Sequence, residues 1–199
     1  MIQEKILPKD LADRLAKLYL QMEEEYERVA STLSFSCADC PDNCCDSYFL
    51  HHTLLEWAYL WEGMRALGEE KRQQVISRAA DHVVSAERAL AANERPVVMC
   101  PLNEEGRCIL YRHRLMICRM HGVPSAMVRP DGKRLTFPGC FRCQEVVARI
   151  DGEVPEVDRT DFYRQLAGME HELLGPRRHY LPRTRMTIAQ MLVKGPPIL

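Results

Sequence analysis

The residues in this chain best suited to chemistry are its nine cysteines, spread unevenly over 199 residues. Four of them fall within Cys37-Ala-Asp-Cys40-Pro-Asp-Asn-Cys44-Cys45. The remainder are Cys100 and Cys108 on either side of a short polar loop, Cys118 followed by Arg119, and the pair Cys140-Phe-Arg-Cys143. Two cysteines separated by two residues let one turn of backbone aim both thiolates at the same metal, which is why that spacing recurs in zinc and iron–sulfur sites. Cys37/Cys40 and Cys140/Cys143 both have it.

The adjacent pair Cys44-Cys45 says more. Neighbouring Cα atoms are about 3.8 Å apart, closer than the usual disulfide separation, so a bridge between them is strained. Their side chains diverge, and it is easier for them to reach different atoms than one tetrahedral ion. That points to a polynuclear site, or to two sites sharing this loop. Eight thiolates make two four-cysteine sets, matching two zinc ions or two cubane clusters with one cysteine left over. The same residues also suit one cluster with spare thiols. Any of the nine (Cys37, Cys40, Cys44, Cys45, Cys100, Cys108, Cys118, Cys140, Cys143) is a candidate ligand, with Cys143 the position that also reads as a small buried hydrophobe. If four bind a structural ion, the free energy involved is on the order of 10 kcal/mol. It ties the N-terminal helix, the loop at 37–45 and a downstream hairpin into one unit.

These residues resemble the YkgJ-like family of cysteine-cluster proteins, described as zinc- or iron-chelating domains. The match rests on Cys37-x-x-Cys40-x-x-x-Cys44-Cys45, then Cys100-Pro-Leu with a short acidic loop, Gly106-Arg107-Cys108-Ile-Leu-Tyr111, and Arg114-x-x-x-Cys118-Arg119. It covers roughly residues 37–121, with Cys140 as the later cysteine. The family pattern commonly has an Arg-Pro pair ahead of its last Cys-Arg, whereas here Leu115 follows Arg114. That departure touches a turn and leaves the ligands intact. The resemblance implies a metal- or cluster-binding domain without a known reaction. The all-thiolate set and the adjacent pair favour an iron–sulfur cluster over zinc.

The elements that must position these thiols are mainly helical. Leu11, Leu15, Leu18, Met22, Tyr26, Val29 and Leu33 recur at three- and four-residue steps, predicting an amphipathic helix over about 10–33 with Asp10 as N-cap. Thr53-Leu-Leu-Glu56 reads as a capping box opening a helix that runs to about Leu67 and ends at Gly68, with Leu54, Trp57, Ala58, Trp61 and Met64 on its core face. A third helix is predicted from about Glu69 to Asn93, with Ile76, Ala79, Ala80, Val83 and Leu90 inward and Pro96 beyond it. Cys108 to Met120 fits a helix better than a buried strand. Ala126–Arg129 and Arg134–Phe137 flank Pro130-Asp-Gly-Lys133, a β-hairpin signal that brings Cys118 and Cys140 toward one another. A helix from about Arg159 to Leu174 carries Phe162, Leu166, Met169 and Leu173 and stops at Gly175-Pro176, and a short one opens at Thr187-Ile-Ala-Gln190 and closes at Gly195-Pro196. The fold class is therefore mainly α with a small β-hairpin. It reads as a single domain over 1–199: an irregular cysteine-rich metal-binding core at 37–143, the N-terminal helix, and a helical extension at 158–199.

Charge and composition remove other classes. A hydrophobic content of 46% supports an ordinary core, and a net charge of −1 gives no general pull toward nucleic acid or anionic lipid. No apolar run stands behind a basic start and no span-length apolar segment follows, so the expectation is a cytoplasmic protein with no membrane partner. In a reducing compartment clustered cysteines are metal ligands more often than disulfides. His51, His52, His113 and His121 stand near the cysteines and suit the surroundings of a site more than its ligand set. Arg119 suits either a hydrogen bond to a thiolate cluster or a surface salt bridge. The basic group Arg177, Arg178, His179, Arg183 and Arg185, with Tyr180 inside it, reads as a solvated face before a phosphate or acidic-partner contact. Glu104-Glu105 read as polar loop. No phosphate-cradling loop, nucleotide fingerprint or catalytic dyad is present. The functional expectation is a metal-binding protein in electron transfer or metal handling, with a structural zinc module, a cluster-dependent enzyme and an oxidised disulfide protein as rivals.

Overall fold

The computed structural model describes residues 7–37, 40, 44–181 and 183–198. Seven α-helices and five short strands among them make the protein mainly α with small β elements. The chain divides into two compact units, one comprising Met1–Ala12, Asn43–Leu115 and Glu170–Leu199, the other Asp13–Asp42 and Met116–Met169.

The second of these units is built on most of helix α1, Lys9–Thr32. Its stripe is the one the periodicity predicts: Leu15, Leu18, Met22 and Val29 are buried, joined by Tyr19 and Ala30. The start differs. The helix begins at Lys9 and the Pro8 carbonyl accepts from Ala12, so Asp10 lies inside the first turn, where its charge offsets the helix dipole, instead of capping it. Helix α4 is short, Met116–Met120, and is followed by strands β3, Ser125–Val128, and β4, Arg134–Phe137, paired antiparallel as the hairpin signal predicts. Strand β5, Val157–Asp158, pairs parallel with β3. Helix α5, Phe141–Val147, follows the hairpin, and α6 spans Thr160–Leu174, with Phe162, Leu166 and Met169 buried. Gly139 has φ +84, and a Cβ there would stand 2.5 Å from the Gly122 carbonyl oxygen, so only glycine fits where the strand end meets the α4–β3 turn.

The first unit is organised on helix α2, Leu54–Ala66. Thr53 caps it by accepting from the Glu56 N–H, and Glu170 completes the end: its two carboxylate oxygens accept from the N–H groups of Leu54 and Leu55 at 2.9 and 2.8 Å. Burial pushes the Glu170 carboxyl above its usual range. Leu55, Tyr59 and Leu60 are buried along with the expected Ala58, Trp61 and Met64, so the helix is covered on more than one face. It ends at Ala66, and Gly68 serves as N-cap of α3, Glu69–Ala91, with ordinary φ, not as the left-handed stop that a terminal glycine suggests. On α3 the buried stripe is Val75, Ala79 and Ala86. Of the expected inward positions, Ala79 is buried and Ile76 and Val83 are partly buried against the same core, while Ala80 and Leu90 are exposed. Helix α7, Ile188–Val193, has the full capping box at Thr187 and Gln190 and packs on α3. Trp57 and Trp61 of α2 both donate their indole N–H to the Met191 carbonyl, and Trp57 also reaches that of Gly195, which satisfies the exposed carbonyls at the end of α7.

Residues 108–120 are not one helix. The segment splits into strand β2, Arg107–Cys108, a 3-10 turn at Tyr111–His113, and α4. Strand β1, Asn103–Glu104, pairs with β2 across a turn in which Glu105 and Gly106 both have positive φ, the geometry of a tight hairpin turn. Glu104 is therefore part of a strand, and Lys71 and Arg78 of α3 hold its carboxylate at 2.6 and 2.7 Å. No helix among the described residues is long and apolar enough to cross a membrane.

Candidate metal centre

All nine cysteines are free thiols. The stretch at 37–45 is divided between the two units, Cys37 and Cys40 falling in one and Cys44 and Cys45 in the other. The spacer residues Ala38, Asp39, Pro41, Asp42 and Asn43 lie outside the described residues.

In the first unit, Cys44 and Cys45 lie on a 3-10 turn ending at Asp46. The main chain joins this turn to the second thiol segment, since the Cys100 N–H donates to the Cys45 carbonyl at 2.9 Å. The chain turns at once, Asn103 N–H to Cys100 carbonyl, and the β1–β2 hairpin returns with Asn103 opposite Cys108. Cys100 and Cys108 both pack against the apolar core of Leu60, Met64, Leu102, Leu110 and Leu115. The Cys45 thiol is drawn down to about 6, first by the hydrogen bond from Cys44, against the opposing effect of burial, and then by the Asn103 amide and the Arg114 cation. Burial drives Cys100 the other way, up to about 12, with Cys108 and Cys45 beside it adding to the rise. Arg114 is fixed by stacking on the Tyr111 ring at 3.6 Å.

In the second unit the CxxC turns form as the spacing suggests. The Cys40 N–H donates to the Cys37 carbonyl, and the Tyr26 hydroxyl lies 3.7 Å from the Cys37 sulfur. Cys140 is the N-cap residue of α5 and its N–H donates to the Gly122 carbonyl at 3.0 Å, while Cys143 stands in the first turn of that helix, fully buried. Burial raises the Cys143 thiol to about 11, with the sulfurs of Cys140 and Cys37 contributing. The Arg142 guanidinium faces Cys40 first, by a hydrogen bond, and Cys140 and Cys37 by charge. Cys118 lies on α4 and is half-buried.

The sulfurs are thus neighbours in groups, but they are not closed onto an ion. Among the described residues no three Cys, His, Asp or Glu side chains form a group that could hold a metal ion as they stand. The donor chemistry of the groups suits a thiolate-bound centre in one further respect. The Asn103 amide lies beside Cys45 and the Arg142 guanidinium beside Cys40, so each group has a donor against sulfur. Hydrogen bonds to the sulfurs of a negatively charged cluster tune its potential.

The neighbouring residues fall differently from their sequence readings. Arg119 does not lie on the surface. It is 5% exposed, paired with Glu23 and stacked over Tyr19 at 4.2 Å, which makes it an internal tie to α1. His113 packs its ring against Tyr59 at 4.7 Å and over Gly63, where a Cβ would come within 2.7 Å of it. His51 is buried in a β-bridge with Met186, and burial, with His52 next, lowers its pKa to about 3, so it is neutral. His52 is exposed. The basic residues Arg177, Arg178, His179, Arg183 and Arg185 are exposed, as a solvated face requires, and Tyr180 among them is 88% exposed. The residues that the sequence reading passed over are Asn103 and Arg142. The signal was present, since each sits within three residues of a cysteine, but which sulfurs they face depends on the fold.

No family model, curated protein or solved structure matches the chain.

Proposed function

We propose that this chain is a cytoplasmic metal-binding protein that holds an iron–sulfur cluster, or zinc, through its clustered cysteine thiolates, as the resemblance to the YkgJ-like family implies. The observation that carries the reading is the Cys45–Cys100 main-chain clasp, which gathers thiols 55 positions apart in sequence around a buried amide donor. An apolar core by itself needs no such convergence of sulfur. A bound cluster supplies one-electron transfer and a bound zinc supplies a rigid crosslink. The chain's own part is to present thiolates, to place N–H donors and cations against them, and to shield one side with apolar residues.

Iron–sulfur is favoured over zinc by the all-thiolate set and by the vicinal pair, which suits atoms of different position better than one tetrahedral ion. Anaerobic purification followed by metal and sulfide analysis and a visible spectrum tests this. Iron with equivalent sulfide and broad visible absorption is the expected result. A colourless protein with stoichiometric zinc transfers the reading to a zinc module. Protein with neither metal, unable to take either one up, ends it.

A further inference from the structure

We infer that the arch from Arg177 to Arg185 is a sequence-independent contact for single-stranded nucleic acid, its guanidiniums taking phosphates and Tyr180 stacking on a base. The surface is separate from the cysteines and does not depend on the metal-binding reading.

The first ground is charge. No Asp or Glu follows Glu172, whereas Arg177, Arg178, Arg183, Arg185 and Lys194 do, so a chain of net charge −1 is polarised, basic over this stretch and acidic over the rest. Such a distribution attracts a polyanion locally without any general pull. The second ground is pairing. Arg28, Arg72, Arg78, Arg129 and Arg134 each hold a carboxylate of this chain. Among the described residues no carboxylate lies within ion-pair distance of Arg177, Arg178, Arg183 or Arg185. Glu170 feels the charge of Arg178, but both of its oxygens already accept from the N–H groups of Leu54 and Leu55. Four like charges close in sequence and unpaired oppose folding, and cations spread over the surface would serve solubility as well.

The arch is also held in place. Leu174 before it and Met186 after it are buried. The N–H groups of Tyr180 and Leu181 both donate to the Arg177 carbonyl, at 2.9 and 3.1 Å, and Arg178 Nη1 lies 3.3 Å from His171 Nδ1 on α6. At the far end His51 and Met186 exchange main-chain hydrogen bonds at 2.8 and 3.1 Å. All of these residues belong to one unit. A surface fixed in this way loses little freedom when a partner settles on it.

The residue types select the partner. The cations of the arch include four arginines and no lysine, and a guanidinium fork takes a phosphate by two parallel N–H···O bonds. Carboxylates of an acidic peptide suit that fork too, so the deciding residue is Tyr180. Its side chain is 88% exposed and stands between Arg178 and Arg183 in sequence. A bared ring among cations gives a nucleobase a face to stack on, which is how single-strand binders combine backbone and base contacts. A peptide of acidic residues has no use for it. No other large apolar side chain is exposed among the described residues of the arch, which is too little to enter a lipid surface. Phosphates and ring faces are common to every base, so the contact reads no sequence.

The test is fluorescence anisotropy of labelled single-stranded oligonucleotides about 12 nucleotides long, RNA and DNA in two unrelated sequences, titrated with the full chain. The sequences are expected to bind alike, and binding of either RNA or DNA supports the proposal. Affinity is expected to fall with salt at a log–log slope of about −3, which is about −0.7 for each of four phosphates. Arg183→Ala and Arg185→Ala combined are expected to weaken both sequences equally and to halve that slope. Tyr180→Ala is expected to lower affinity roughly five-fold or more with the slope unchanged, and Tyr180→Phe to keep it. All three positions are exposed, so circular dichroism and melting temperature are expected to stay at wild-type values. No binding at low salt, or wild-type binding by the arginine variant, overturns the proposal. Polyglutamate that competes as well as an oligonucleotide, with Tyr180→Ala harmless, overturns it in favour of an acidic protein partner. Binding to phosphatidylserine vesicles without binding to oligonucleotides overturns it in favour of a membrane. Any of these failures leaves the metal-binding reading untouched.

Discussion

The two cysteine groups sit on scaffolds of opposite character. Around Cys100 and Cys108 there is a substantial apolar core drawn from α2, α3, α7 and the β1–β2 region, and the sulfurs lie against its flank. Around Cys140 and Cys143 the local scaffold is α5, seven residues long, and its one buried residue is Cys143 itself. A helix that short has little stability of its own. In the first region sulfur is added to a structure that stands without it. In the second, on the proposed reading, bound metal would add to the few contacts that attach the element.

The contrast is broken most forcefully by removing metal. On the proposed reading a chelator withdraws binding free energy on the order of 10 kcal/mol per structural site. Hydrogen exchange is expected to show α5 amides losing protection first while those of α2 keep most of theirs. Equal loss in both would mean that the apolar core does not carry the first region. Next in size is the reverse cut: Leu60→Ala, at a fully buried core position, is expected to cost roughly 2–5 kcal/mol in denaturant unfolding and to loosen α2, α3 and α7 together. Gly139→Ala puts a Cβ against the Gly122 oxygen at a left-handed φ, so a loss of about 3 kcal/mol is expected, read as a lower melting temperature. A smaller effect, about 1 kcal/mol, is expected for Trp61→Phe, which removes one indole donor from the Met191 carbonyl while Trp57 still supplies another.

The mildest probe leaves stability untouched. In metal-free protein near neutral pH, Cys45, lowered to about 6, is mostly thiolate, whereas Cys100 and Cys143, raised to about 12 and about 11, remain thiols. Alkylation followed by mass spectrometry is expected to label Cys45 well ahead of the other two. Lowering the pH below about 6 protonates Cys45 and is expected to erase its lead. Labelling of Cys100 as fast as Cys45 would show that their environments do not differ as described.

Much of the helical framework was legible because it obeys simple rules. The α1 stripe, the Thr53 cap, the α6 face and the Thr187 capping box each follow from residue type at fixed spacing. The rest was hidden for stated reasons. Helix α5 has no apolar stripe, because its contact with the interior is a single cysteine. The β1–β2 turn places Glu105 at φ +50, where sequence gives no Asn-Gly or Asp-Gly signal. Strand β5 is two residues long and pairs parallel with a distant strand, which no local pattern encodes. For the site, the cysteines announced themselves by number and spacing. Their division into groups did not, since neighbours in the 37–45 stretch are separated by the fold and Cys45 is joined to a residue far along the chain. For Arg119 the sequence left a thiolate contact and a salt bridge open, and its buried pairing with Glu23 depends on where α1 lies, which adjacency to Cys118 does not encode.

The clasp between Cys45 and Cys100 has a practical meaning for anyone who alters those positions. It is made of peptide atoms, so exchanging either side chain for serine or alanine does not delete the bond that aligns the two segments. At most sites, ligand and architecture are lost together and the experimenter cannot tell which failed. On the proposed metal-binding reading, the inorganic contribution at this pair could be subtracted with that main-chain bond left in place.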